Sequence, residues 1–278
     1  MKPRIISIIG GTGKMGQLFS RVFKKNGYKV IVSGRKTKTS HKEAASQGDV
    51  VIVTVPIRNT AEIIKKIGRY VRDDALFTDF TSVKTEPVKV MLKYSDAEVV
   101  GGHPVFGPTV SLKGQCYVLC PARRKKYFSW FKSFLKKQGL SVLVMSPEEH
   151  DKRMGVVQCL THIGNIAMAD AMRRMNANIK KTMEVSSPVY RLRMYVIGRV
   201  FSQDASLYSD IQMHNPFSRK IIKEYAKSIE RFSKAINKKD SKGFENYFNK
   251  TARYLGSFCR EAQEESDYLI GKMAGRKE

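Results

Sequence analysis

The chain has 278 residues, enough for two modest domains with cores of their own. Hydrophobic residues make up 42%, as in an ordinary globular protein, and no apolar run is long enough to span a bilayer, so no membrane partner is expected. The formal net charge is +26, which would suit nucleic acid or an anionic membrane surface. The lysines and arginines are nevertheless scattered over helical faces and form no long basic tail. Specific nucleic-acid binding is not expected, and anionic substrates account for the charge equally well.

Reading begins with an apolar strand at 4–9 that runs directly into Gly11-Thr12-Gly13-Lys14-Met15-Gly16. An amphipathic helix and a second apolar strand at 29–33 follow. This order of elements points to a dinucleotide site. Gly11 permits a tight turn, Gly13 lets backbone approach a pyrophosphate, and Gly16 lets helix pack on strand. The helix N-terminus offers free N–H groups and a partial positive charge. After the second strand come Ser33-Gly34-Arg35-Lys36, with no acid to hold ribose hydroxyls. Arg35, with Lys36, could fork onto a 2′-phosphate, so NADP is favoured, with NAD possible. The plainer reading is a pair of solvated loop charges. The short N-terminal apolar run is a glycine-broken strand and not a secretory leader.

Further strands are read at 50–54, 75–79, 98–102, 116–120 and 141–145, with a helix at 60–70 carrying Ile63, Ile64 and Ile67. The alternation predicts an α/β domain of Rossmann type, doubly wound around a mostly parallel sheet, over 1–146. At Ser146-Pro147-Glu148-Glu149 the pattern turns helical: a capping Ser, a Pro suited to the first position, and acids at the positive end. Residues 147–278 read as an all-helical domain. Cys116, Cys120, Cys159 and Cys259 lack metal-like spacing, and no metal site is expected. Cys116 and Cys120 share a strand face too far apart for easy bridging. Reduced thiols fit a cytoplasmic protein.

Ligands of an open parallel sheet sit at the carboxyl ends of its strands. That rule nominates the glycine loop, Val55-Pro56-Ile57, the loop Asp79 to Lys84, and the loop Gly101 to Pro108. Ser82 and His103 come from the last two and converge on one edge. A hydroxyl and an imidazole there suit proton removal from an alcohol as hydride leaves. Alternatively, His103 caps a turn and Ser82 caps the next helix. In the helical half, His162 lies inside the first long helix. Arg191 and Arg199, eight apart, share a side of their helix and call for an anionic partner, either a ligand or Asp204 or Glu184. His150 reads as structural.

These motifs resemble the prephenate dehydrogenases. The likeness runs over nearly the whole chain, from the glycine loop through Val53-Thr54-Val55-Pro56-Ile57, Asp79-Phe80-Thr81-Ser82-Val83-Lys84 and Gly102-His103-Pro104-Val105-Phe106-Gly107-Pro108. It continues in Glu149-His150-Asp151, Leu160-Thr161-His162, Ser187-Pro188-Val189-Tyr190-Arg191-Leu192 and Gly198-Arg199-Val200-Phe201. The resemblance implies a Rossmann-type domain followed by a helical dimerisation domain, and hence a homodimer. It implies that His103 takes the proton of the ring hydroxyl and that Ser82 orients both. It further implies that Arg199 grips a substrate carboxylate and that His162 and Arg191 belong to the substrate site. The substrate would be a small dicarboxylate, oxidised and decarboxylated with NAD(P). Many relatives carry an acid after the second strand, which this chain lacks. Some fuse a mutase or regulatory domain, for which this chain has no room. Arogenate dehydrogenase is a close alternative. A deazaflavin-dependent NADP reductase and a non-catalytic NADP-sensing or nucleic-acid-binding module are more distant ones.

Overall fold

The computed structural model describes residues 2–274, which form two compact units. The first runs up to Gln158 and includes Ser206–Ser218; the second comprises Cys159–Ala205 and the chain from Arg219 on.

Seven strands build the first unit: β1 (Ile5–Ile9), β2 (Lys29–Ser33), β3 (Val50–Val53), β4 (Leu76–Asp79), β5 (Glu98–Pro104), β6 (Cys116–Arg123) and β7 (Ser141–Val144). They form one sheet in the order β2-β1-β3-β4-β5-β6-β7. Only β5 and β6 pair antiparallel. The helices between them are α1 (Lys14–Lys25), α2 (His41–Gln47), α3 (Ile57–Ile67), α4 (Thr85–Tyr94) and α5 (Phe128–Lys137).

The central strands β1 and β3 are near-continuous runs of Ile and Val because both of their faces are covered. Ile6, Ile8, Val50 and Ile52 point to one side, against Phe19 and Phe23 of α1 and Phe131 and Phe134 of α5. Phe23 and Phe134 stack with ring centroids 4.7 Å apart. Ile9, Val51, Val53 and Phe77 point to the other side, against Ala44 of α2, Ile64 and Ile67 of α3, and Val88 and Met91 of α4.

Both α4 and α5 lack a side-chain cap from their own N-cap residue and are capped from elsewhere in the chain. Glu98 accepts the N–H groups of Tyr127 and Phe128 at 2.6 and 2.9 Å and so caps α5. Asp151 does the same for α4. By contrast, α6 (Pro147–Met154) is capped locally: Ser146 Oγ accepts the Glu149 N–H at 3.1 Å, Pro147 opens the helix, and Glu148 and Glu149 fill its first turn. A π-helical turn, Gly155–Leu160, interrupts what the sequence reads as one long helix.

The second unit contains α7 (Thr161–Arg174), α8 (Ile179–Glu184) and α9 (Pro188–Phe201). The next helix, α10 (Ala205–His214), lies almost wholly in the first unit, held by Arg58 Nε–H on Asp210 at 3.0 Å. The rest of the second unit is α11 (Ser218–Asn237), α12 (Ser241–Leu255) and α13 (Phe258–Ala274). Within it α7 packs on α9, and α13 on α9 and α12. Neither α12 nor α13 has a buried residue. Among the described residues, no helix is long and apolar enough to cross a membrane.

Candidate active site

The first five strands run parallel, so their carboxyl ends share one edge. The strand order reverses direction between β1 and β3, which is where such sheets hold ligands. The β1 loop turns at Gly10, with φ +83°, a residue outside the sequence motif proper. A Cβ there would lie 2.9 Å from both the Thr54 carbonyl carbon and Val55 Cγ1, so the β1 and β3 loops touch. A Cβ on Gly16 would lie 2.6 Å from Gly11 Cα, so α1 packs directly on its own loop.

Gly13 caps α1 without a side-chain hydrogen bond, and no acid occupies the first turn. The N–H groups of Lys14, Met15 and Gly16 are those a helix cannot satisfy internally, and they sit at its positive end. This cradle fits a pyrophosphate. The β2 loop lies against it, since a Cβ on Gly34 would meet Thr12 Oγ1 at 2.5 Å. Arg35 and Lys36 are exposed beside it. The Ser33 hydroxyl faces inward, donating to the Thr39 carbonyl at 3.1 Å and lying 2.6 Å from His41 Nδ1, so its side chain serves to hold the loop. Val55 is half-buried, and Pro56 is exposed where α3 begins.

The β4 and β5 ends carry a buried polar network. Lys84 and Asp79 are fully buried and paired. Lys84 Nζ also donates to the Gly102 carbonyl at 2.8 Å and to Thr81 Oγ1 at 3.3 Å. Asp151 accepts the Lys84 and Thr85 N–H groups at 2.7 and 2.9 Å, so Ser82 is not the cap of α4; it is half-buried in the preceding loop.

His103 lies within β5 and not in a loop, because the antiparallel pairing with β6 continues to Pro104. It is 2% exposed. Its Nδ1 lies 2.8 Å from His150 Nε2, and His150 Nδ1 lies 2.8 Å from Asp151 Oδ1. Burial, then the charges of His150 and Lys84, push the His103 pKa well below its ordinary value. Burial also lowers that of His150. His103 is therefore a neutral imidazole at neutral pH, able to take a proton. Sequence reasoning placed His150 with structure and did not find the Asp79–Lys84 pair. A signal existed: a lone acid ending an apolar strand, five residues before a lysine.

In the second unit, His162 is half-buried at the start of α7. Arg191 is exposed, and its Nε–H donates to Ser186 Oγ at 2.9 Å. Arg199 is exposed on α9. Among the described residues, neither guanidinium has an ion pair, to Glu184, Asp204 or any other acid.

Residues 19–144 match the family model of the prephenate dehydrogenase nucleotide-binding domain, and residues 146–250 that of the prephenate dehydrogenase dimerization domain. A probable arogenate/prephenate dehydrogenase of Methanocaldococcus jannaschii is 38% identical over 95% of this chain, which spans 64% of that protein's length. The T-protein of Haemophilus influenzae is 32% identical, over 95% of this chain and 71% of its own. The crystal structure of prephenate dehydrogenase from A. aeolicus in complex with hydroxyphenyl propionate and NAD+ shares the fold. Its TM-score is 0.71 at 23% identity, over 92% of this chain and 98% of that one. The chain belongs to the prephenate dehydrogenase family of NAD(P)-dependent oxidoreductases.

Proposed function

We propose that this protein oxidises and decarboxylates prephenate to 4-hydroxyphenylpyruvate, using NADP in preference to NAD. The observation that carries the reading is one sheet edge. It carries both an uncapped, acid-free helix N-terminus after β1 and, three strands along, a buried neutral histidine near the end of β5.

Gly11 to Gly16 would hold the pyrophosphate, Val55 and Pro56 would flank the cofactor, and Arg35 with Lys36 would hold the 2′-phosphate. The bound nicotinamide would accept the hydride from the ring carbon bearing the hydroxyl. His103 Nε2 accepts the proton of that hydroxyl, and Ser82 orients it. As the ring carboxylate leaves as carbon dioxide, its bonding pair enters the ring and passes to the former hydroxyl oxygen, the ring becomes aromatic, and the phenolate takes the proton back from His103. In the second unit, the family resemblance supports Arg199 as the holder of a substrate carboxylate through a charge-assisted pair, and His162 and Arg191 as further substrate contacts. The exposed apolar surface of the second unit is the contact of a symmetric homodimer, and the free thiols suit the cytoplasm.

The test follows nicotinamide absorbance with prephenate and with arogenate, each against NAD+ and NADP+. Prephenate with NADP+ should turn over fastest. His103→Asn should lower kcat by roughly a hundredfold with KM little changed. Near-normal turnover by that variant on both substrates would overturn the assignment of His103. Faster turnover of arogenate would move the substrate to its amino analogue.

A further inference from the structure

His103, His150 and Asp151 form a hydrogen-bonded series, and the position of each hydrogen follows from its far end. Asp151 receives two backbone N–H groups, from Lys84 on Oδ1 and Thr85 on Oδ2. Its own carbonyl is held by Asn215 Nδ2–H at 2.8 Å, so the side chain cannot swing away cheaply. Burial alone would raise the Asp151 carboxyl, but hydrogen bonds from His150 and Thr85 hold it below the usual carboxylate range. An ionised carboxylate only accepts. His150 must therefore donate from Nδ1, across the 2.8 Å to Asp151 Oδ1.

A neutral imidazole with its hydrogen on Nδ1 has only a lone pair on Nε2. The hydrogen in the 2.8 Å gap between the two rings then belongs to His103 Nδ1. This leaves His103 Nε2 as a bare acceptor, with no hydrogen-bond partner among the described residues. We propose that His150 and Asp151 are positioning residues that lock His103 in its Nδ1–H tautomer, so that Nε2 is the atom that takes the hydroxyl proton. The inference rests on the reading of His103 as the base. The opposite tautomer would point an N–H at the substrate hydroxyl and could not remove its proton. When Nε2 takes that proton, His103 keeps Nδ1–H on His150, and the new positive charge faces a ring already polarised by the Asp151 carboxylate. In the Ser-His-Asp arrangement, loss of such control over the tautomer costs about 10⁴-fold in turnover.

Two measurements on the full chain test this. Imidazole ¹⁵N NMR of the wild-type protein at neutral pH, assigned with His103→Asn, should show His103 and His150 both protonated on Nδ1. A proton on His103 Nε2 would overturn the proposal whatever the kinetics. His150→Leu removes the acceptor and should lower kcat by about tenfold or more, with KM for prephenate and affinity for NADP+ held within about twofold. His150→Gln offers an amide oxygen to His103 Nδ1–H and should recover most of that loss. Wild-type turnover in the Leu variant, or no recovery by a folded Gln variant, would also overturn it. If His103→Asn keeps its activity, the assignment of the base fails instead, and the tautomer measurement still decides the relay.

Discussion

The two units of this protein solve the problem of burial differently. The first closes on itself: both faces of its central strands meet helices, and even Lys84, Asp79, His103, His150 and Asp151 are buried with partners. The second is left with large apolar side chains in solvent, among them Val185, Phe248, Phe258 and Tyr254, the last 86% exposed. A sheet covered on both faces is a finished core, whereas a few helices in one copy offer too little area to cover each other. The first unit carries the polar chemistry because a completed core can hold charges in fixed places. The second has surface to spend on a partner.

The largest expected effect lies in the finished core. Lys84→Met strands the Asp79 carboxylate without its cation and should destabilise the protein by about 3–5 kcal/mol in urea unfolding. Removing the exposed Glu62–Lys66 pair of α3 should leave the unfolding midpoint almost unchanged. Equal losses in the two variants would erase the distinction between buried and surface charge.

Next comes the unfinished unit. Light scattering at micromolar concentration should give twice 31.6 kDa for the wild type. The double variant Phe248→Glu, Tyr254→Glu should dissociate toward a single chain, with a cost to association of about 2 kcal/mol or more. A wild-type mass of 31.6 kDa would mean that the apolar surface has no such use.

The cofactor loop should respond without disturbing either unit. Arg35→Asp should weaken NADP+ binding about tenfold or more, as expected for loss of a charge-assisted pair worth roughly 1.5–3 kcal/mol. Binding of NAD+ should be spared and the unfolding midpoint unchanged. Unaltered NADP+ titrations would return Arg35 to the solvent.

The gentlest probe is pH. His103 and His150 are held below their ordinary pKa, chiefly by burial. The unfolded chain therefore binds more protons than the folded one once the pH drops below about 6.5. Stability should be complete above that value and decline as the solution is acidified, and His103→Asn should flatten the decline. His162 is shifted the same way in the second unit. An unfolding midpoint indifferent to pH between neutrality and pH 5 would mean these histidines are not held neutral by the fold.

Much of this was legible in the chain. All seven strands were found, because each carries a short apolar stretch bounded by turn residues, which in the doubly covered β1 and β3 becomes a run of Ile and Val. The glycine loop, the capped start of α6 and the change to helix near residue 147 were legible for the same reason: each is local chemistry. The placement of Ser82 and His103 at one edge followed from strand direction alone. What the chain could not disclose was every contact made across long sequence separations. Asp151 caps α4 from 66 residues away, and Glu98 caps α5 across 29. His150, which looks like an ordinary first-turn residue, meets His103 across 47. Gly10, not Gly11, takes the left-handed turn, and the Thr54 backbone and Val55 side chain crowd the place its Cβ would occupy. Periodicity and caps arise from neighbours along the chain, so sequence determines them. Pairing of buried polar groups depends on which loops the sheet brings side by side, and only the tertiary structure decides that.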